Sequence, residues 1–265
     1  MNSRTLTLAQ DYVRAPSATN WLRYSSPQTF FPVAGKLAPW FGALAAALGT
    51  VGLYIAFLVA PSDQQQGEIY RVIFVHVPAA WMSMFIYVVM AFWAGCGLVF
   101  NTRLSGMMAS ALAPTGAAFT LVALWTGSLW GRPAWGAWWV WDARLTSELI
   151  LLFLYCGFIA LHAAIDDARR ADRSCAVLAL VGVVNIPIIY FSVQWWNTLH
   201  QGASVSITRA PSMAPTMFAG LIVMALAFWM YSIAVALARV RAIILERERY
   251  STWTVCSGDS RLSGP

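Results

Sequence analysis

The chain has 265 residues, of which 59% are hydrophobic and only 11% are charged. Soluble domains carry about 25% charged residues, so this composition excludes an ordinary soluble domain and indicates a protein embedded in a lipid bilayer. The net charge of +6 does not indicate nucleic-acid binding, because the basic residues are dispersed over segments that flank apolar runs. The four cysteines form no C-x-x-C or C-x-x-C-H motif, which excludes a dithiol oxidoreductase of that pattern and a c-type cytochrome.

Six apolar segments are long enough, or nearly long enough, to cross a bilayer, which takes about 20 residues. They are residues 37–60, 77–100, 107–125, 149–165, 175–191 and 218–240. Pro114 and Pro187 lie inside two of them, and we expect these prolines to kink or open the helices. The sequence therefore predicts an all-α integral membrane protein with six transmembrane helices. Its predicted parts are an extension over residues 1–36, a membrane domain over 37–245 and a tail over 246–265 that we expect to be disordered.

Lys and Arg are distributed unequally between the two sides of this topology. The side of the N-terminus holds thirteen of the 17 basic residues. The opposite side holds only Arg71, Arg132, Arg144 and Arg209. Because cytoplasmic segments are enriched in Lys and Arg, we expect both termini in the cytoplasm. Three loops, residues 61–76, 126–148 and 192–217, then face outward.

Six of the 14 Trp residues lie between residues 125 and 141, where an even distribution would place about one. An aromatic belt at the membrane surface explains one or two rings at each end of a span, but not five within twelve residues. If Pro133 begins a short helix, one of its faces carries Trp135, Trp138, Trp139 and Asp142. We therefore predict that the loop of residues 126–148 forms a flat apolar platform for a ligand, with membrane anchoring as the alternative.

The sequence has three histidines. His76 and His200 fall in outer loops on either side of the tryptophan-rich loop, whereas His162 lies near the cytoplasmic end of the fourth span. Two imidazoles on one side of a membrane can approach a planar iron porphyrin from opposite faces and ligate its iron. A single histidine at a membrane surface is more often only a hydrogen-bonded polar residue, and we interpret His162 as a helix-packing or lipid-interface residue. The two outer histidines together with the tryptophan-rich loop indicate a haem site.

Three motifs carry a resemblance to a known family. The letters WG from Trp130 and WGAWWVWDARLT from Trp135 resemble the WWD signature of haem-handling membrane proteins. HVPAA from His76, and WWNTLHQG around His200, resemble one family in particular, CcmC, the haem exporter protein C family of bacterial cytochrome c maturation. The resemblance extends over about residues 40 to 245, with six spans in the same order, and does not include the N-terminal extension or the tail.

The resemblance implies that haem b is bound transiently, as cargo, at the periplasmic face of the bacterial inner membrane. It implies that His76 and His200 are the axial ligands of the iron. It also implies that the haem is contacted by the WWD segment, here Trp130, Trp135, Trp138, Trp139, Trp141 and Asp142. In the family, haem passes to the haem chaperone CcmE, in a complex with the ABC transporter subunits CcmA and CcmB and the small membrane protein CcmD. The sequence has no G-x-x-x-x-G-K-[ST] motif, so we expect a binding and transfer component rather than an enzyme, with ATP hydrolysed by a partner.

Three other functions remain alternatives. A cytochrome c haem lyase or synthetase shares the WWD signature, but such proteins generally have more spans and more haem-ligating histidines. A b-type electron-transfer subunit normally places its histidine pairs inside facing helices, and a small-solute permease would leave the histidines unexplained. Arg144 is also open to two interpretations, as a partner of a haem propionate or of Asp142 or Glu148.

Overall fold

The computed structural model describes residues 25–200, 202, 205 and 210–254. In this part of the chain, six helices are long and apolar enough to cross a membrane. They are Pro27–Val59, Glu68–Phe100, Arg103–Trp135, Ala143–Ala163, Ala168–Trp195 and Pro215–Arg247. The prediction of an all-α membrane protein with six spans is confirmed. Residues 1–24 of the predicted extension and residues 255–265 of the predicted tail lie outside the described residues.

We number the α-helices in chain order. They are α1 Pro27–Tyr54, α2 Ile73–Phe100, α3 Arg103–Trp135, α4 Ala143–Ala163, α5 Ala168–Gly182, α6 Asn185–Trp195 and α7 Pro215–Arg247. A π-helical turn, Ile55–Val59, extends α1, and a 3-10 turn, Glu68–Val72, precedes α2. α5 and α6 form one span that breaks just before Pro187, as predicted, whereas α3 runs without a break through Pro114.

α1 and α7 pack against each other along their whole length. A Cβ built on Gly42 would lie 4.0 Å from Cβ of Ala234, and one built on Gly49 would lie 4.0 Å from Cβ of Ala227. The numbering falls along one helix as it rises along the other, so the helices are antiparallel. Small residues on both surfaces let the backbones approach closely, which is the main source of helix association in a lipid solvent.

α3 lies at the centre of the bundle. In its most apolar stretch 61% of the residues are buried, against 11% in the corresponding stretch of the first span. It contacts α2, α4 and α7, and its buried side chains contribute to the main core cluster together with those of α2, α4 and α5. α3 is therefore the most buried of the six spans, and its C-terminal end carries the candidate site.

α3 extends ten residues further than the predicted end of the third span. Trp130 and Trp135 belong to its last turns, and Pro133 lies inside the helix. The expectation that Pro133 begins a new short helix was wrong, and the predicted helical face with Trp138 and Asp142 does not form. The physical reason is that the helix continues until the chain reaches a residue with left-handed backbone. That residue is Gly136, with φ 79°, and it forms the C-cap.

The second span also begins earlier than predicted. α2 begins at Ile73 and is preceded by the 3-10 turn. His76 therefore lies in the first turn of a helix instead of at the end of a loop. Arg71 stabilises this earlier start, because its guanidinium donates to the carbonyl oxygens of Ala56 and Ala60 at the end of the first span.

Candidate functional site

His76 is buried between α2 and α3, with 9% of the residue exposed. Its Nδ1 lies 3.1 Å from the carbonyl oxygen of Ala123 and 3.1 Å from Oγ1 of Thr126. A Cβ built on Gly127 would lie only 3.0 Å from Cε1 of His76, so the ring uses the space that this glycine leaves. Together with Trp130, these three residues lie on one face of α3 through i, i+3, i+4 and i+7 spacing. The imidazole thus packs against this face of α3.

The hydrogen bonds of His76 select one form of the ring. A carbonyl oxygen only accepts, so the contact with Ala123 assigns the proton to Nδ1. Nε2 then carries the lone pair, which is the state of an imidazole that ligates a metal through Nε2. A backbone carbonyl behind the ligating ring is a common way to fix both the tautomer and the orientation of the ring.

Trp130 connects His76 to the loop that precedes α2. Its ring lies edge-on to the imidazole, with centroids 5.8 Å apart and planes at 86°. Its Nε1 donates to Oε1 of Gln66 at 2.7 Å. Gln66 is held in a tight turn because Oδ1 of Asp63 accepts from the backbone N–H groups of Gln65 and Gln66 at 2.9 and 2.8 Å. The loop before α2 is thereby fixed to the outer end of α3.

His200 lies beside His76, on the loop that follows α6. The two imidazole centroids are 6.2 Å apart and their planes make an angle of 34°. Trp135 is also close to His200, with ring centroids 6.3 Å apart. The four rings therefore follow each other in the order Trp130, His76, His200 and Trp135.

Asp142 joins two elements of the site. Its Oδ1 accepts from the backbone N–H of Leu145 at 2.8 Å and so caps the N-terminus of α4. Its Oδ2 accepts from the hydroxyl of Thr198. The same hydroxyl oxygen accepts from the backbone N–H of His200 at 3.1 Å. The carboxylate of the WWD segment therefore holds the loop that carries His200 against the start of α4.

The loop of residues 136–142 crosses from α3 to α4. Its first residue, Gly136, donates its backbone N–H to the carbonyl oxygen of Arg132 at 3.0 Å and turns the chain away from the helix. Ser128 then donates to the carbonyl oxygen of Trp138 at 2.8 Å, which ties the loop back to the helix. Two rings of this loop are largely exposed, since Trp138 is 55% exposed and Trp141 is 77% exposed.

Trp139 differs from its two neighbours in this loop. Its ring packs edge-on against Trp141, with centroids 5.4 Å apart. Its Nε1 is buried, and among the described residues it has no hydrogen-bond partner. A buried indole N–H without a partner costs free energy, and the neighbouring side chains must shift before an acceptor bound at the loop can reach this atom.

The structure brings four of the eight predicted site residues into ring contact, namely His76, His200, Trp130 and Trp135. Asp142 reaches the same place through Thr198. Trp138, Trp139 and Trp141 lie in the adjoining loop, and in the described part of the chain none of their rings contacts either histidine.

Arg144 and Glu148 lie beneath the site, in the first turns of α4. Arg144 donates from NH1 to the carbonyl oxygen of Ile189 at 2.7 Å, and within the described residues it forms no ion pair with Asp142 or Glu148. Glu148 is buried and accepts from the hydroxyl of Ser83 at 2.8 Å. The internal ion pair that the sequence suggested for Arg144 is therefore not formed.

The sequence comparisons place the chain in a family. The family described as heme exporter protein C, CcmC, matches residues 20–255. The chain belongs to the haem exporter protein C family. The proteins named heme exporter protein C from Escherichia coli (strain K12) and from Haemophilus influenzae (strain Rd) are 48% and 43% identical to it over 227 and 234 residues. These alignments cover 86% and 88% of this chain and 91% and 95% of the relatives.

A relative from a plant organelle is also similar. The putative cytochrome c biosynthesis ccmC-like mitochondrial protein of Marchantia polymorpha is 48% identical over 159 residues, which is 60% of this chain and 67% of the relative. The match to the haem exporter protein C family spans all the elements described above, because residues 20–255 include α1 through α7 and both histidines.

Several residues that build the site were not identified from the sequence. Gly127 and the carbonyl oxygen of Ala123 carry no signal of their own, because their importance depends on which face of α3 meets α2. Gln66 lies in a polar loop that resembles any other turn. Thr198 is different: it lies two residues before His200 in the WWNTLHQG segment, and this closeness was the one signal that could have identified it.

Proposed function

We propose that this protein binds haem b transiently, as cargo, between His76 and His200, and presents it for the biogenesis of c-type cytochromes. The observation that carries the proposal is the pairing of the two imidazoles, with centroids 6.2 Å apart. A metal–imidazole nitrogen bond is about 2 Å long and the ring centre lies about 1 Å beyond the nitrogen, so two imidazoles on opposite sides of one iron atom have centroids about 6 Å apart. The observed separation fits a bis-histidine site.

The surroundings of the histidines also fit a porphyrin. Trp130 and Trp135 flank the imidazole pair, and the exposed rings of Trp138 and Trp141 extend the apolar surface. We assign the buried N–H of Trp139 to a haem propionate, because a carboxylate would supply the hydrogen-bond acceptor that this atom lacks. We assign to Asp142 a positioning role, exerted on His200 through Thr198.

The site chemistry supports binding and transfer rather than turnover. The relatives are named for haem export and for cytochrome c biosynthesis. We therefore propose that haem is passed to the chaperone CcmE and that the protein acts with CcmA, CcmB and CcmD, with ATP hydrolysed by the ABC transporter subunits. The excess of basic residues on the side of the N-terminus supports an inner-membrane orientation with both termini in the cytoplasm and His76 and His200 at the periplasmic side.

One observation favours the b-type electron-transfer alternative. His76 lies inside α2 and is buried, as haem ligands in such subunits normally are. His200, however, lies on a loop after α6, and Trp138 and Trp141 are open to the outside. A site for cargo needs such an open side, whereas a permanently held electron-transfer haem does not.

The test is a haem titration of the purified full chain. We expect a low-spin spectrum typical of two axial imidazoles, and we expect His76→Ala or His200→Ala to weaken haem retention strongly. The control is His162→Ala, since His162 contacts Asp172 and Arg247 near the other end of the bundle, in agreement with a packing role. Unchanged spectra in both outer variants would exclude axial ligation by these residues. Comparing haem content after isolation with and without the ATPase partner then tests delivery by the transporter.

A further inference from the structure

A second pocket lies at the opposite end of the bundle from the histidine pair. Leu98, near the end of α2, lines it, and 22 residues of helix separate Leu98 from His76, which corresponds to about 33 Å. The pocket has a volume of about 480 Å³ and lies where α2 ends, α3 and α5 begin and α7 ends. Its apolar wall is formed by Ala94, Leu98, Met107 and Phe158. Its rim is formed by charged residues.

The acidic residues at this rim already have partners. Asp172 binds Arg247, with Oδ2 2.7 Å from NH1, and also lies 3.2 Å from Nε2 of His162. Glu248 binds Arg103, with Oε1 2.7 Å from NH1. Both carboxylates of the pocket are thus neutralised by arginines that also line it.

Two further arginines at the rim are left over. Arg169 and Arg173 lie one helical turn apart on α5, so their side chains share one face of the helix. Both are exposed, and in the described part of the chain neither forms an ion pair. The rim therefore has an excess of two positive charges directly beside an apolar wall.

The start of α3 adds hydrogen-bond donors to the same pocket. The side chain of its N-cap residue, Thr102, forms no capping hydrogen bond, and the pocket is lined by Thr102, Arg103 and Gly106. The first backbone N–H groups of a helix have no partner within the helix and favour an anion. This contribution supplements the two arginines and is not sufficient alone.

We propose that this pocket binds the phosphate group of an anionic phospholipid. Guanidinium groups bind phosphate oxygens through charge-assisted hydrogen bonds, and basic pockets between transmembrane helices hold lipid headgroups. Free phosphate would bind the same arginines, but it has no apolar part that could contact the wall of Leu98, Met107 and Phe158. The lipid satisfies both parts of the pocket, with its phosphate at the arginines and the first part of an acyl chain against the wall.

The test compares lipid retention by the full chain in phosphatidylcholine nanodiscs that contain a minor share of phosphatidylglycerol. Phosphatidylglycerol that stays bound after extraction is counted by native mass spectrometry. We expect the Arg169→Gln/Arg173→Gln variant to retain roughly 25-fold less phosphatidylglycerol, because each of the two arginines contributes about 1 kcal/mol to anionic lipid binding near a membrane surface. The matched control is Arg170→Gln/Arg249→Gln, which removes the same charge from exposed arginines outside the pocket.

Two further measurements make the test decisive. Arg169→Lys/Arg173→Lys keeps both charges and should retain the lipid, and the melting temperature of every variant reports whether the fold is intact. Equal retention by the glutamine variant and its control would overturn the proposal. Displacement of phosphatidylglycerol from the unaltered protein by millimolar inorganic phosphate would also overturn it, since the site would then be one for the free anion. None of these outcomes depends on whether the histidine pair binds haem.

Discussion

The side chains of Asp142 and Thr198 connect two loops that are 56 residues apart in the sequence. Thr198 donates its hydroxyl hydrogen to Oδ2 of Asp142, while Oδ1 of Asp142 caps α4. The backbone N–H of His200 donates to the same Thr198 hydroxyl oxygen. The position of His200 therefore depends on the carboxylate of Asp142, which caps the N-terminus of α4. The loop that carries His200 is fixed to this helix through Thr198.

Replacing Thr198 tests this dependence. Thr198→Val keeps the shape of the side chain but removes the hydroxyl, and it leaves Oδ2 of Asp142 and the N–H of His200 without this partner. A hydrogen bond to a charged group contributes about 1.5–3 kcal/mol, so we expect about tenfold or greater loss of haem affinity. The low-spin signal in an absorption titration should weaken as His200 becomes less well placed. Thr198→Ser is the control, because it restores the hydroxyl and should restore the affinity.

A second prediction concerns the space beside His76. A methyl group at Gly127 would lie 3.0 Å from Cε1 of the imidazole, so Gly127→Ala must push the ring away from α3. Overpacking of this kind costs about 1–3 kcal/mol, and we expect about tenfold weaker haem binding by titration. Gly157→Ala is a suitable comparison, because it is also a helix glycine and its new methyl would lie an ordinary 3.7 Å from Leu178. Equal haem affinities in the two variants would refute the assigned orientation of His76.

The spans were predictable from the sequence because hydropathy depends only on local composition. The boundaries near the site were not. Trp130, Gly131 and Arg132 lower the apolar character of the chain, but they do not interrupt the helix, which continues to the left-handed Gly136. As a result, Trp130 and Trp135 were predicted as loop residues although they belong to α3.

The candidate site was predictable in part, for a related reason. Topology alone places His76 and His200 on one side of the membrane, and the structure shows their rings side by side. Their supports are long-range contacts, such as Trp130 with Gln66 and Asp142 with Thr198. No local pattern in a single sequence reveals which side chains will meet across 56 or 64 residues.

The cluster at the other end of the bundle is expected to be structural. Arg247 on α7 contacts both Asp172 on α5 and His162 on α4, so it joins three helices. Asp172→Asn leaves a guanidinium that is 15% exposed without its counter-charge. We expect a loss of about 2–3 kcal/mol in the free energy of unfolding, less than the 3–5 kcal/mol for breaking a fully buried pair. Unfolding in detergent measures this loss, and the exposed Asp166→Asn should show none. A low-spin haem spectrum should persist in both variants, because the cluster lies far from the histidines.

Trp139 allows stability and binding to be separated. Trp139→Phe removes the buried N–H that has no partner among the described residues, and it keeps most of the ring packing against Trp141. The fold should lose no stability, because an unsatisfied buried donor is removed. Haem affinity should fall about tenfold, because a charge-assisted hydrogen bond to a propionate is lost. Thermal unfolding and haem titration of the same preparation measure the two effects.

The comparison for Trp139→Phe is Trp130→Phe, in which the lost N–H does have a partner, Gln66. That variant should lose stability as well as haem affinity, because Oε1 of Gln66 is left without its donor and the loop before α2 is no longer fixed to α3. If Trp139→Phe bound haem as tightly as the unaltered protein, the N–H of Trp139 would have no role toward the propionate. A haem dimethyl ester, which lacks the propionate charges, provides the final check: it should bind equally well to the unaltered protein and to Trp139→Phe.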